Sequence, residues 1–237
     1  MDAESSFDLE VLIDRNVPRW NCGPRRLHLG CGESKLTDFI NIDYPADQHN
    51  VMSVTPDIAI DLRKLTCRSG TIDEIRLHHV FEHFSRVTAI SMLVRWHVWL
   101  KEGGILIIET PDFVGTARTI LSTNDWHIVM GGIRHLTGDQ AASWAYHVEQ
   151  WFPERFKHTL SKLGFQIEDI KSSQWQHPPY LSNVTVTAIK SRCMEVGELL
   201  QSADELLWES TVSSEERQTH AVWKDQLREM LLEVEIL

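Results

Sequence analysis

The sequence predicts an α/β fold: a mostly parallel sheet with an antiparallel terminal strand, followed by a C-terminal helical extension. Three observations carry this. Short apolar runs recur along the first half of the chain and end in glycine, acidic residues or histidine. Such ends form the ligand-binding edge of a parallel sheet. Between the fourth and fifth runs, apolar residues recur at helical spacing, which makes a βαβ crossover. Two alternating runs before residue 190 read as a terminal strand pair. With 237 residues, 42% of them apolar, the chain can build one large core, with or without an appendage.

In order along the chain, residues 1–25, with Pro18, Trp20 and Pro24, read as a short helix or strap and then a turn. The strands are Arg26–Leu29, Phe39–Ile42, Ile58–Ile60, Glu74–Leu77 and Gly104–Ile108. Val87, Ile90, Val94 and Val98 form the crossover stripe, and Gly103-Gly104 closes that segment. Residues 113–152 have no clear period and are expected to form a lid or binding loop. A helix spans Pro153–Leu163 and stops at Gly164, and Phe165–Ile170 and Val184–Ile189 pair behind it.

The boundary falls at residue 190, giving a body of 1–190 and a tail of 191–237. In the tail, Val196, Leu199, Ala203 and Leu206 form one helical stripe. Val222, Trp223, Leu227, Met230, Leu231 and Val234 form another, behind a capping box at Ser213-x-x-Glu216. Each stripe must bury against the body, the other helix or a second chain, and a homodimer through these helices is one expected outcome.

The formal charge is −11, from 23 basic and 34 acidic residues. The tail holds 4 basic and 11 acidic residues, so most of the imbalance lies there. Such a balance argues against a nucleic-acid partner. Cys22, Cys31, Cys67 and Cys193 are widely spaced and include no C-x-x-C, which excludes a disulfide scaffold and common zinc knuckles. No apolar run reaches the length of a membrane span, and the acidic N-terminus has no signal-peptide core. The expected location is the cytoplasm.

Gly30-Cys31-Gly32 follows a strand directly, where glycines let the backbone turn sharply and approach a ligand. Lys35 stands where a dinucleotide fingerprint needs its third glycine. Asp43 ends the next strand, suited to ribose hydroxyls, and Asp61-Leu62 can reach a purine amino group. Together they describe an adenosine site without a phosphate cradle.

The ordered set Leu27-His28-Leu29-Gly30-Cys31-Gly32, Phe39-Ile40-Asn41-Ile42-Asp43, Asp61-Leu62, Val80-Phe81-Glu82-His83, Leu100-Lys101-Glu102-Gly103-Gly104 and Pro111-Asp112-Phe113 resembles a class I S-adenosylmethionine-dependent methyltransferase. It is most similar to a small bacterial group with a Leu-x-Leu-Gly-Cys-Gly opening and Glu-His after strand four. The resemblance covers roughly residues 25–190 and implies a Rossmann-like sheet and S-adenosyl-L-methionine as cofactor. It implies that Gly30, Cys31 and Gly32 pass under the methionine and ribose, with Asp43 on the ribose, Asp61 and Leu62 at the adenine, and His78 near the methionine through its backbone. Many relatives carry an acidic residue near the methionine ammonium where this chain has His28. Ser34 replaces a further glycine.

The acceptor is expected to be a small molecule or a sugar or glycan, methylated by in-line displacement. His79, His83 and His147 are the candidate bases, and Glu82, His135 and Trp144 the candidate substrate contacts; an aromatic plane stacks on a sugar, and histidine takes a proton near neutral pH. Of the other histidines, His97 is expected at the surface or in packing, and His177 follows the irregular stretch. Trp151 and Phe152 are expected in the core. His79-Val80-Phe81-Glu82-His83 also matches H-x-x-E-H, a zinc-hydrolase pattern in which Glu149 could be a third ligand. His79 ends a strand rather than lying inside a helix, so no metal is assigned. The other alternative is an idle cofactor-binding scaffold that docks through its tail.

Overall fold

The computed structural model describes residues 7–17, 23–45, 53–175, 181–234 and 236. Trp20, Cys22 and His177 lie outside them. A parallel two-residue pairing joins β1 (Phe7–Asp8) to β5 (Leu65–Thr66). Asp8 then caps α1 (Leu9–Asn16), its carboxylate accepting the Glu10 N–H at 2.7 Å. This is the short helix expected of the lead-in.

The main sheet has seven strands. They are β2 (Arg26–Leu29), β3 (Ile40–Asp43), β4 (Ile58–Ala59), β6 (Ile72–His78), β7 (Leu100–Pro111), β8 (Phe165–Trp175) and β9 (Leu181–Lys190). Their order is β4-β3-β2-β6-β7-β9-β8. The first five run parallel, while β9 is antiparallel to both β7 and β8. This is the predicted Rossmann-like sheet with an antiparallel end. From β2 the chain winds outward to β3 and β4, then returns to place β6 on the other side of β2. The carboxyl ends of β2 and β6 therefore flank a topological switch point, where such sheets bind ligands.

The crossover helix α2 (Arg86–Trp99) starts at Ser85, whose hydroxyl accepts the Thr88 N–H at 3.3 Å. It is buried on nearly all sides, not along one stripe. The sheet covers one side, and α6 (Val196–Trp208) and α7 (Arg217–Leu232) cover the other. Gly103 and Gly104 do not end the helix. β7 begins at Leu100, and the N–H groups of Gly70 and Thr71 bond to the last carbonyls, of Val98 and Trp99.

The tail stripes thus bury against the body. Leu199, Ala203, Leu206, Leu207, Leu227 and Leu231 belong to one core cluster with the sheet and α2, while Val222 is exposed. The expected cap at Ser213 is replaced by a turn, and α7 starts at Arg217. A reciprocal capping box forms instead at Glu195 and Glu198, before α6.

Residues 113–152 are not the structureless loop expected. They hold α3 (Phe113–Leu121) and α4 (Trp126–Thr137), and the irregular part is 138–152. Gly132 explains a glycine pair inside a helix: a Cβ there would lie 2.5 Å from Ile120 Cγ1, so its absence lets α4 pack closely on α3. After 152 comes α5 (Pro153–Lys162), packed on β8. Trp151 is buried in an aromatic cluster with Phe81, Trp96 and Phe156, as expected of a core residue. No helix among the described residues is long and apolar enough to cross a membrane.

Candidate functional site

The switch point opens into a cleft of about 1630 Å³. Its floor is the turn after β2. Gly30 and Gly32 have φ of +70° and +52°, and the Gly30 and Cys31 N–H groups bond back to the Ile42 carbonyl at 2.8 and 3.3 Å. A Cβ on Gly30 would strike Val80 Cγ2 at 2.2 Å, so the turn lies directly on the segment after β6. Beyond Gly32 there is open space for 4 Å. Cys31 is buried, and burial followed by the nearby Asp43 carboxylate pushes its thiol up to about 12. It stays a thiol and packs.

Asp43 is 5% exposed, yet it lines the cleft. Its carboxylate accepts the N–H groups of Gly32 and Tyr44, each at 2.7 Å. The bottom of the cleft is thus one connected piece, with β3's last carboxylate bracing the turn after β2. Asp61 and Leu62 line the side. Here the structure departs from the simple adenine contact expected of Asp61. Its oxygens cap the turn Leu62–Lys64, accepting the Arg63 N–H at 2.9 Å, and pair with the Arg63 guanidinium at 2.7 Å. Arg63 also reaches the Tyr44 hydroxyl at 3.3 Å.

His28 lines the cleft from the end of β2. Its Nδ1 lies 3.1 Å from Asn41 Oδ1. The Asn41 amide nitrogen donates to Asp57 and to the Leu36 and Phe39 carbonyls, which fixes Oδ1 as the acceptor. His28 Nδ1 therefore carries the hydrogen. Burial lowers its pKa, so it stays neutral with a lone pair on Nε2. His78 stands against it, ring centroids 5.7 Å apart, at the exposed end of β6. Its pKa is also lowered, first by desolvation.

The other end of the cleft is a wall of histidine and aromatic residues: His79, His83, Trp144 and Tyr146, with Ser85 and Thr88 from the start of α2. His79 is in the left-handed region at φ +55°, a strained conformation for histidine. The strain aims its ring between two carboxylates. Nδ1 is 3.3 Å from Glu82, Nε2 is 3.5 Å from Glu109, and the Asn183 amide lies 2.9 Å from Nε2. Desolvation lowers the His79 pKa, but the flanking Glu109 and Glu82 carboxylates outweigh it and hold the pKa up at about 9. In return His79 draws Glu109 down to about 2.

Glu82, His135 and His147 do not line the cleft; they stand behind that wall. Glu82 is fully buried, and His79 foremost, with His83 and His147, keeps it below the usual carboxylate range against its desolvation. The His135 ring nitrogen contacts the Ser182 carbonyl at 3.1 Å, and desolvation lowers its pKa. His147 Nδ1 lies 2.9 Å from the His135 carbonyl, and burial lowers its pKa too. Segments 79–83 and 144–149, distant in sequence, are clasped by backbone: the N–H groups of Val148 and Glu149 bond to the Glu82 carbonyl at 2.9 and 3.2 Å.

The hydrolase arrangement does not form. Glu149 is held by Arg155 at 2.7 Å and Arg86 at 3.4 Å, and His79, His83 and Glu149 do not converge as a ligand set. Four contributors carried no motif in the sequence: Tyr44, Arg63, Glu109 and Arg95. Arg95 is buried in α2, and its guanidinium donates to the carbonyls of Arg63, at 2.8 Å, and of Leu65, fixing the turn that carries Leu62. Only an arginine in an apolar helix stripe signalled it.

No protein-family model and no curated protein matches the chain. Similar solved structures include an S-adenosylmethionine-dependent methyltransferase from Methanosarcina mazei, 13% identical over 78% of this chain and 99% of that one, with a TM-score of 0.47. A second, from Archaeoglobus fulgidus, is 15% identical over 76% and 92%, also at 0.47. A third, from Mesorhizobium loti, is 15% identical over 70% and 91%, at 0.45.

Proposed function

We propose that the protein is an S-adenosyl-L-methionine-dependent methyltransferase acting on a small-molecule or sugar acceptor. The observation that carries this reading is one continuous cleft at the switch point, with Gly32 and Asp43 at its floor and a histidine–aromatic wall at its far end. The residues fit the cofactor. A side chain at Gly32 would enter open cleft, and a buried carboxylate beside it is braced by backbone N–H groups.

When bound, the cofactor supplies an activated methyl group. The chain's own residues supply binding and alignment. Asp43 accepts the ribose hydroxyls. Leu62 packs at the adenine, and Asp61 meets the adenine amino group by exchanging a bond with Arg63, whose side chain is 57% exposed. His28, neutral and with Nε2 unprotonated, accepts from the methionine ammonium where relatives use a carboxylate. His78 lies alongside through its backbone.

The acceptor binds against Trp144, with an apolar ring or sugar face on the indole. His79, wedged between the Glu82 and Glu109 carboxylates with the Asn183 amide nitrogen against Nε2, orients the turn. That leaves His83 as the histidine at the wall. Tyr146 and Val148, with Phe7 and Leu12 of the N-terminal strap, add apolar lining to the cleft. The test is release of S-adenosylhomocysteine over a panel of sugars, nucleotide sugars and hydroxylated metabolites. Turnover with one acceptor class and not with nucleic acid is expected. Bound cofactor with no turnover across the panel would favour the idle scaffold.

A further inference from the structure

Three ligand-type side chains, His83 in the acceptor wall and Glu82 and His147 behind it, converge with no hydrogen bond among them. Glu82 is 2% exposed, and neither carboxylate oxygen has a hydrogen-bond partner. His79 Nδ1 approaches Oε1 at 3.3 Å as an ion pair, without hydrogen-bond alignment. A buried carboxylate left this way is costly unless something else meets it.

His83 and His147 face it. His83 Nδ1 lies 3.0 Å from the Tyr146 carbonyl and His147 Nδ1 2.9 Å from the His135 carbonyl. A carbonyl only accepts, so each Nδ1 carries a hydrogen and each Nε2 is the nitrogen left to bind. An imidazole anchored through Nδ1 to a backbone carbonyl is the arrangement that orients metal ligands. His147 Nε2 is 3.9 Å from Glu82 Oε1, too far for a hydrogen bond. One ligand atom from each of the three residues lies within 4.8 Å of the other two. Ligands about 2.0–2.1 Å from a shared ion stand roughly 3–3.5 Å apart, so modest side-chain rotation closes the set.

We propose that Glu82, His83 and His147 form a site for a divalent transition-metal ion. Two imidazoles and one carboxylate favour Zn²⁺, Co²⁺, Fe²⁺ or Mn²⁺ over the oxygen-seeking Mg²⁺ and Ca²⁺. Three protein ligands leave coordination positions open. Of the three, His83 lines the cleft, so the open positions face Trp144 and Tyr146. Resting on the methyl-transfer reading, this names the acceptor atom as a hydroxyl oxygen. The ion holds that oxygen and eases loss of its proton to water. The oxygen–methyl bond then forms as the methyl–sulfur bond breaks, and S-adenosylhomocysteine carries off the sulfur electron pair.

The full-length protein, stripped with chelator and dialysed, is titrated with Co²⁺ and followed by its visible absorption, with Zn²⁺ content measured in parallel. About one ion per chain is expected, with affinity lower in His83→Gln and in His147→Gln by more than the roughly 10- to 100-fold that losing a ligand's supporting partner costs. His127→Gln, on an exposed part of α4, should bind as wild type. His83 and His147 are the deciding positions because each removes a partly exposed ring, whereas Glu82 is buried; thermal unfolding confirms that each variant is folded. Substoichiometric metal in wild type, or wild-type affinity in both variants, overturns the site. S-adenosylhomocysteine binding is measured on the same metal-free and metal-loaded samples. S-adenosylhomocysteine binding without a metal site sinks the metal alone. Metal binding without it supports the metal site and sinks methyl transfer.

Discussion

At Gly30 the φ of +70° and the 2.2 Å approach of Val80 to an added Cβ impose two separate costs on any other residue. Gly30→Ala should lose about 1–2 kcal/mol to the left-handed backbone, and more to the clash. Val80→Ala added to it should recover the second part and not the first. Urea unfolding of the four proteins checks this, and full recovery in the double variant would contradict it. Single residues were legible in the sequence where their chemistry is local. Gly30, Gly32, Asp43 and His28 sit within a few residues of a strand end, and all line one cleft. Partnerships were not legible. Asp61 read as free to bind because its engagement by Arg63 depends on side-chain geometry two residues on. His79 read as a base because Glu109 and Asn183, which surround it, come from neighbouring strands.

Among the elements, α2 links core to site. Arg95 points from it to the carbonyls of the turn carrying Leu62. Arg95→Met keeps the apolar stem but leaves those carbonyls unpaired, at about 1–3 kcal/mol for each buried group. We expect lower stability together with weaker S-adenosylhomocysteine binding; calorimetry and urea unfolding read the two, and unchanged affinity would detach Arg95 from the site. His97, on the same helix, is 1% exposed. Its Nε2 lies 2.9 Å from the Arg192 carbonyl and its buried Nδ1 has no hydrogen-bond partner. Burial holds its pKa at about 4 instead of 6.5. The unfolded chain therefore takes up a proton between these values and the folded one does not, so stability falls as pH drops from about 6.5 to about 4. The full difference is about 3 kcal/mol. His97→Gln, which can still donate to Arg192, should flatten that slope in a pH series of unfolding midpoints; an unchanged slope would assign it elsewhere. Strands and the crossover were legible because their periods are strong. α3 and α4 were not, since Gly115, Gly131 and Gly132 lower helix propensity and tertiary packing overrides them.

For the whole molecule, a mostly parallel sheet with an antiparallel end is legible from the strand ends and the alternating terminal pair, whereas the strand order and the place of the tail are not. Its two stripes could have met a second chain; they complete the cover of α2 instead. Leu199, Leu206, Leu207, Leu227 and Leu231 are buried there, each worth about 1.5–3 kcal/mol, and together they rival a domain's entire stability. Deleting residues 191–237 should leave a chain that aggregates or stays unfolded, judged by circular dichroism and sedimentation. A folded, soluble truncation would show the tail to be an appendage after all. The hydrogen bond of His158 and the ion pair of Lys162, both on α5, to Glu209 at the end of α6, at 2.7 and 2.8 Å, add orientation at the surface and little energy.

Whether the switch-point cleft holds an adenosyl cofactor on Asp43 is decided by calorimetry with S-adenosylhomocysteine on wild type and Asp43→Ala. Saturable one-to-one binding is expected in wild type, with a loss of about 10- to 100-fold in the variant, the worth of hydrogen bonds to a charged group. No binding in wild type, or equal binding in both proteins, would contradict it.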